Sequence, residues 1–178
     1  TGLLTLPPGS RIQLRLENRS AHRLYVTLLG MDSSGSLVAL HPLTAAPVLT
    51  ANGVNPPVVA SDLPALSVAA KESIVLPQTA PSVAWVLQGS SGLAETYLLF
   101  SRTPFAQTQA ALTSGLHAVG NAPGIYPLTN PLEVAQAVLQ DLHQASDTAT
   151  QVVGNPPDTY ALDVDYWASL RFVYQVGA

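Results

Sequence analysis

Cysteine is absent from the 178 residues, which excludes disulfide staples, thiolate metal sites and a cysteine nucleophile. Charge is nearly as scarce. Only 10% of residues are Asp, Glu, Lys or Arg, against about 25% in an ordinary domain, and Lys71 is the sole lysine. No apolar run reaches the 18 or so residues of a membrane helix, and the N-terminus lacks the charged start and apolar core of a signal peptide, so the expectation is a soluble chain with no membrane partner. Neither G-x-x-x-x-G-K-[ST] nor G-x-G-x-x-G occurs, which leaves phosphate-cradling chemistry without support. His22, His41, His117 and His143 never fall at zinc-ligand spacing. No metal or cofactor is expected. The net charge of −4 argues against a nucleic-acid partner. The chain opens at Thr1, with Met31 its only methionine, which points to a piece of a longer protein.

What is present describes a sheet protein. Hydrophobic residues make up 47% of the chain, and with 15 prolines and 12 glycines this suits strands joined by long ordered loops better than helices or disorder. The length fits one domain whose core needs no covalent staple. Residues 11–18, RIQLRLEN, alternate strictly. Ile12, Leu14 and Leu16 face one way and Arg11, Gln13, Arg15 and Glu17 the other, the period of a strand with one wet face. A turn at 18–20, a strand over 22–31, a glycine-ended turn at 32–35 and a strand over 36–40 complete an expected antiparallel meander across 1–40.

Residues 41–70 hold five prolines and one charge and predict an ordered loop lying against the protein. Strands follow at 73–76, 83–87 and 95–101, the last two apolar on both sides and therefore expected at the sheet centre. Residues 104–145 predict a helical segment, with a first helix over 104–112 and a stronger one over 130–145. There Asn130 is a plausible N-cap, Pro131 a first helical residue, Glu133 the partner in a capping box, and Leu132, Ala135, Val138, Leu139 and Leu142 an apolar stripe. The chain closes with expected strands over 160–176. The predicted fold class is mainly β, a β-sandwich or twisted antiparallel sheet with one or two packed helices.

Few residues suggest chemistry. Asp163 and Asp165 would face the same way on a strand, but a calcium site needs six to eight oxygens, and Asp163 capping a turn is the better reading. Glu95 precedes an apolar strand. It is expected to be a structural carboxylate, largely buried and accepting hydrogen bonds from a neighbouring loop or arginine, rather than a general base. Trp85 and Trp167 would suit a sugar-stacking platform or a core. Asn18-Arg-Ser20 fits a glycosylation sequon, but three-residue matches of this kind are common by chance. Arg11, Arg15, Arg19 and Arg23 lie within thirteen positions, while residues 103–170 carry six acids and no base. These arginines are the candidate docking residues, unless the acids fold back and neutralise them.

Four stretches, LPPGSRIQLRLENRSAHRLYVTLLGMDSSGSLVALHP at 6–42, GLAETYLLFSRTPF at 92–105, and PLEVAQAVLQDLHQAS with YALDVDYWASLRFVYQV at 131–146 and 160–176, resemble the accessory domain that follows the catalytic domain in cyanobacterial and bacterial caspase-like proteases, the orthocaspase or metacaspase family. That resemblance implies a cysteine endopeptidase with a His/Cys dyad as parent, cleaving after basic residues, and a cytoplasmic address. None of the catalytic positions can lie in a chain without cysteine. The expectation is therefore a non-catalytic accessory, regulatory or protein-interaction domain whose partner is the caspase-like protease domain of the same polypeptide. A glycan- or cell-wall-binding module and a free-standing serine hydrolase are the alternatives.

Overall fold

Adjacent apolar residues on the long strands point to opposite faces, so each face of the sheet needs its own cover. The computed structural model describes residues 2–41, 65–78, 83–116, 123–146, 160 and 162–177. In chain order they form β1 (Leu4–Leu6), β2 (Arg11–Ile12), β3 (Leu14–Glu17), β4 (Leu24–Met31), β5 (Leu37–His41), β6 (Ser67–Val68), β7 (Ser73–Leu76), β8 (Trp85–Val86) and β9 (Gly92–Ser101). Then come α1 (Ala106–Gly115), β10 (Gly124–Pro127), α2 (Pro131–Gln144) and β11 (Trp167–Val176). The fold is mainly β with two packed helices, as the sequence predicts. One curled sheet runs β1-β11-β9-β4-β5-β10, with β6 also beside β4, and two short ribbons pair β2 with β8 and β3 with β7.

Period-2 geometry distributes neighbouring side chains between two cores. Leu29, Ala39 and Leu99 join Phe105, Ala111, Val134, Val138 and Leu142 under the helices. Leu28, Leu40 and Leu98, each one residue away, join Leu16, Leu76 and Trp85 under the ribbons. Gly30 lets β5 close on β4, since a Cβ there would stand 2.7 Å from Val38 Cγ2.

Several pairings differ from expectation. The opening meander is reduced to one hairpin, β4 with β5 across the 32–35 turn, where Gly35 takes a φ of +83°. β3 pairs instead with β7, Leu16 opposite Ile74, and β2 with β8, Ile12 opposite Trp85. The inward row of Ile12, Leu14 and Leu16 gains more burial by lying over the sheet than by extending it. Residues 83–87 are likewise not a central strand. β8 is apolar on both sides because it lies in the cover, with Trp85 0% exposed. The 95–101 strand is central, as expected, between β11 and β4. One pair is parallel, β1 with the end of β11, so the sheet is mixed. Residues 124–127, within a stretch that carries no strand pattern, form β10 beside β5. Residues 42–64 and 147–159, which hold most of the proline-rich loop and the stretch before the last turn, lie outside the described residues.

α2 is rotated from its expected stripe. Val134, Ala137, Val138, Asp141 and Leu142 are the buried residues, while Leu132 is 84% exposed. Asp141 explains the rotation. α1 begins after Phe105, which offers no side-chain cap, and the Asp141 carboxylate takes that role from the neighbouring helix. It accepts from the Thr108 amide at 2.8 Å, the Thr108 hydroxyl at 2.7 Å and the Gln107 amide at 3.1 Å, satisfying first-turn donors of α1 at its positive end. The expected capping box at Asn130 does not form. The Asn130 amide nitrogen instead donates to Glu133 Oε2 and to the Ala111 carbonyl of α1, which ties the helices together at their other end.

Asp141→Ala strands three donors in a buried site and should lower unfolding free energy by about 1–3 kcal/mol, read from urea unfolding. Leu132→Ala, on the exposed face, should change it by less than about 0.5 kcal/mol. Equal effects would contradict the rotated stripe and the capping role together.

Candidate functional site

Alternation in β2 and β3 turns Ile12, Leu14 and Leu16 toward the core and leaves Arg11, Gln13, Arg15 and Glu17 outside. Arg11 stands opposite Val86 and Arg15 opposite the exposed Val75. Arg19, in the turn that follows β3, and Arg23, beyond it, are also exposed. Arg19 forms a two-pronged pair with Glu17, at 3.1 and 3.2 Å. This pair holds the Glu17 carboxyl below the usual carboxylate range, chiefly through the Arg19 hydrogen bond and charge, with Arg15 adding a smaller pull. Arg15, Glu17 and Arg19 therefore share one electrostatic neighbourhood. Arg23 donates to the Ser67 hydroxyl at 3.2 Å, and the Lys71 ammonium donates to the Arg19 carbonyl. The region thus carries five basic side chains, Arg11, Arg15, Arg19, Arg23 and Lys71, beside the acids Glu17 and Glu72.

Of the acids that were expected to be able to neutralise the arginines, Asp141, Glu133 and Asp163 are engaged elsewhere, and Asp165 lies exposed in the turn before β11. Asp141 caps α1. Glu133 accepts from Asn130. Asp163 accepts from the Asp165 amide at 3.0 Å, and its carbonyl from the Tyr166 amide at 3.1 Å, making the turn before β11 rather than a strand-borne metal pair. The helices cover the opposite face of the sheet from the ribbons. Asp147 and Asp158 lie outside the described residues.

One residue that sequence reasoning undervalued holds the arginine-bearing turn in place. Asn18 is 5% exposed. Its amide nitrogen donates to the carbonyls of His22, Val68 and Ala69 at 2.7–3.0 Å, and its oxygen accepts from the Ser20 amide and hydroxyl. A glycan on that nitrogen is incompatible with this packing, which agrees with the sequon being a chance match. The legible signal was the N-x-S pattern after a strand, which is also an Asx-turn signature.

Glu95 lies in β9, its side chain 18% exposed. Its partners are sheet side chains, not loop amides. Arg171, on β11, donates from Nε to Oε2 at 2.9 Å and from Nη2 to Oε1, and the Tyr97 hydroxyl donates to Oε2. Cross-strand geometry causes this, because Arg171 is directly opposite Tyr97 and one diagonal from Glu95. The Arg171 hydrogen bond, then that of Tyr97, holds the Glu95 carboxyl below its usual value, against a smaller opposing effect of burial. Tyr97 is pushed upward mainly by its bond to Glu95. These shifts suit a clamp between strands rather than a base poised near neutrality.

Glu95 also borders a hollow of about 20 Å³ lined by Gly30, Val38, Ala94, Ile125 and Tyr174, room for about one water molecule. Trp85 is in the core and Trp167 is half-buried against the helix-side cluster. Both indole N–H groups are buried without an acceptor among the described residues, so neither ring forms the exposed sugar platform that was considered. His143 meets Tyr160 edge-on, with ring centroids 5.9 Å apart. His117 lies outside the described residues. Among the described residues, no group of three or more His, Asp or Glu side chains is placed to hold a metal ion, and no helix is long and apolar enough to cross a membrane. Compared with known proteins, the chain matches no family model, no curated protein and no solved structure.

A carboxylate with a depressed folded-state value stabilises the fold fully above its unfolded value, near 4.5 here, and that contribution is lost as pH falls through the folded value. The melting temperature should therefore drop more steeply for the wild-type chain than for Glu95→Gln between about pH 5 and about pH 3. Parallel melting curves for the two proteins would show that the clamp contributes nothing.

Proposed function

We propose that the chain is a non-catalytic accessory domain that docks, through the outer face of its ribbon layer, onto a caspase-like cysteine endopeptidase domain of the same polypeptide. The single observation that carries this reading is the exposure of Arg11, Arg15, Arg19 and Arg23, the first two turned outward by the alternation of β2 and β3 and the last two flanking the buried Asn18 turn. On a surface this poor in charge, a basic region is a distinctive electrostatic feature. A protease that cleaves after basic residues has an acidic substrate cleft, and an arginine-bearing strand is complementary to such a cleft or to its rim. The likeness of residues 6–42, 92–105, 131–146 and 160–176 to the family's accessory domain supports the same partner. Docking of this kind regulates, stabilises or targets the attached protease without chemistry of its own.

Exposed charges contribute more to encounter rate than to affinity and are screened by salt. Binding of the full chain to the separately expressed protease domain should therefore weaken as salt rises from about 50 mM to about 500 mM. Arg11→Ser with Arg15→Ser should lower the association rate by about tenfold while leaving the melting temperature unchanged. Salt-insensitive binding, or binding undiminished in the double variant, overturns the reading. Comparing turnover by the parent protease with and without this domain then gives the direction of regulation.

A further inference from the structure

The two edges of the main sheet are built differently. At one end β10 is four residues long and closes with Pro127, a residue that cannot donate to a further strand. At the other end β1 covers only Tyr174–Val176 of β11. Residues 167–173 are paired with β9 on one side, and among the described residues no strand pairs with their other side. This seven-residue stretch carries no proline, no lysine and no unpaired charge. Ala168, Ser169, Leu170, Arg171 and Phe172 are all exposed, so neither the helix layer nor the ribbon layer covers them. Leu170 is 51% and Phe172 50% exposed. An open, regular edge with large apolar side chains is a template for another strand.

We propose that this edge is a self-association site, where β11 pairs antiparallel with β11 of a second copy about a two-fold axis at Leu170. The occupant follows from the stretch itself. The open edge runs from Trp167, where the chain leaves the Asp163–Tyr166 turn, to Val173, next to the first residue covered by β1. Its midpoint is Leu170. Pairing about that midpoint sets Leu170 against Leu170, Phe172 against Ala168, Arg171 against Ser169 and Val173 against Trp167. Each copy's turn carries its chain away where the other copy's β1 begins. An axis normal to the sheet keeps like faces together, so both copies' Leu170 and Phe172 form one apolar cluster on the ribbon side. No like charges oppose each other, since the only charged residue of the stretch is already paired with Glu95. Shifting the axis by one residue to Arg171 would place two guanidinium groups face to face, which disfavours that register.

The absence of cysteine makes the test clean, because an introduced thiol is the only one in the chain. The full chain at roughly 100 μM should show a dimer mass by light scattering that falls toward the monomer on dilution. Leu170→Lys should be monomeric with an unchanged melting temperature. Under mild oxidation Leu170→Cys should form a covalent dimer at least about tenfold faster than Leu132→Cys, a still more exposed site on α2. A monomer at every concentration, a dimer that survives Leu170→Lys, or cross-linking at 170 no faster than at 132 each overturns the proposal.

Discussion

β9 is bonded along its whole length to β11 on one side and over Glu95–Ser101 to β4 on the other, and it must be covered on both faces. The rest of the architecture answers to that constraint. A strand with Leu98 and Leu99 in succession cannot sit at a wet surface, because one of the two would always face water. The helices bury the Leu99 side and the ribbons the Leu98 side. The ribbons are short because their task is cover. Four strands of two to four residues, carrying Leu16, Leu76 and Trp85, close the second core without extending the sheet.

Polar groups inside this arrangement are used where two layers or two elements meet. Asp141 joins α2 to the start of α1, and Asn130 joins the start of α2 to the later turns of α1. Asn18 fastens the ribbon segment to the β6 region, and Glu95 with Arg171 fastens β9 to β11. Asp141, Asn18 and Glu95 each satisfy several partners at once, which is what makes a buried polar group tolerable, whereas the Asn130 side-chain oxygen is buried with no partner among the described residues. The surface consequence is a division of roles. The ribbon layer presents arginines outward because its apolar row is fully spent on the core, and the β11 edge stays apolar because its one charge is engaged within the sheet.

Much of this was legible where a pattern depends only on near neighbours. The alternation at residues 11–17 correctly separated Arg11 and Arg15 from Ile12, Leu14 and Leu16, and the 73–76 strand and the 32–35 turn were found where they lie. The α2 helix was recognised from its proline and its periodicity, but its inward face was misjudged. Leu132 and Leu139 look like stripe residues to a hydropathy count, whereas the helix turned to bring Asp141 against α1. An acid standing among Val138, Leu142 and Ala145 was the available signal, since a carboxylate in an apolar stripe must have a partner waiting.

The sequence by itself determined the class of fold, the two faces of the alternating strand at residues 11–17, and the absence of any thiol chemistry, because these follow from period, composition and identity alone. Only the tertiary structure decided which strands pair. Alternating apolar rows are interchangeable to local rules, so nothing short of the packed layers distinguishes β3 beside β7 from β3 beside β4. The partners of Glu95, Asn18 and Asp141 were undecidable for the same reason. Each lies among donors brought near by strand register or helix packing, and the free energy of a buried hydrogen bond depends on that proximity rather than on separation along the chain.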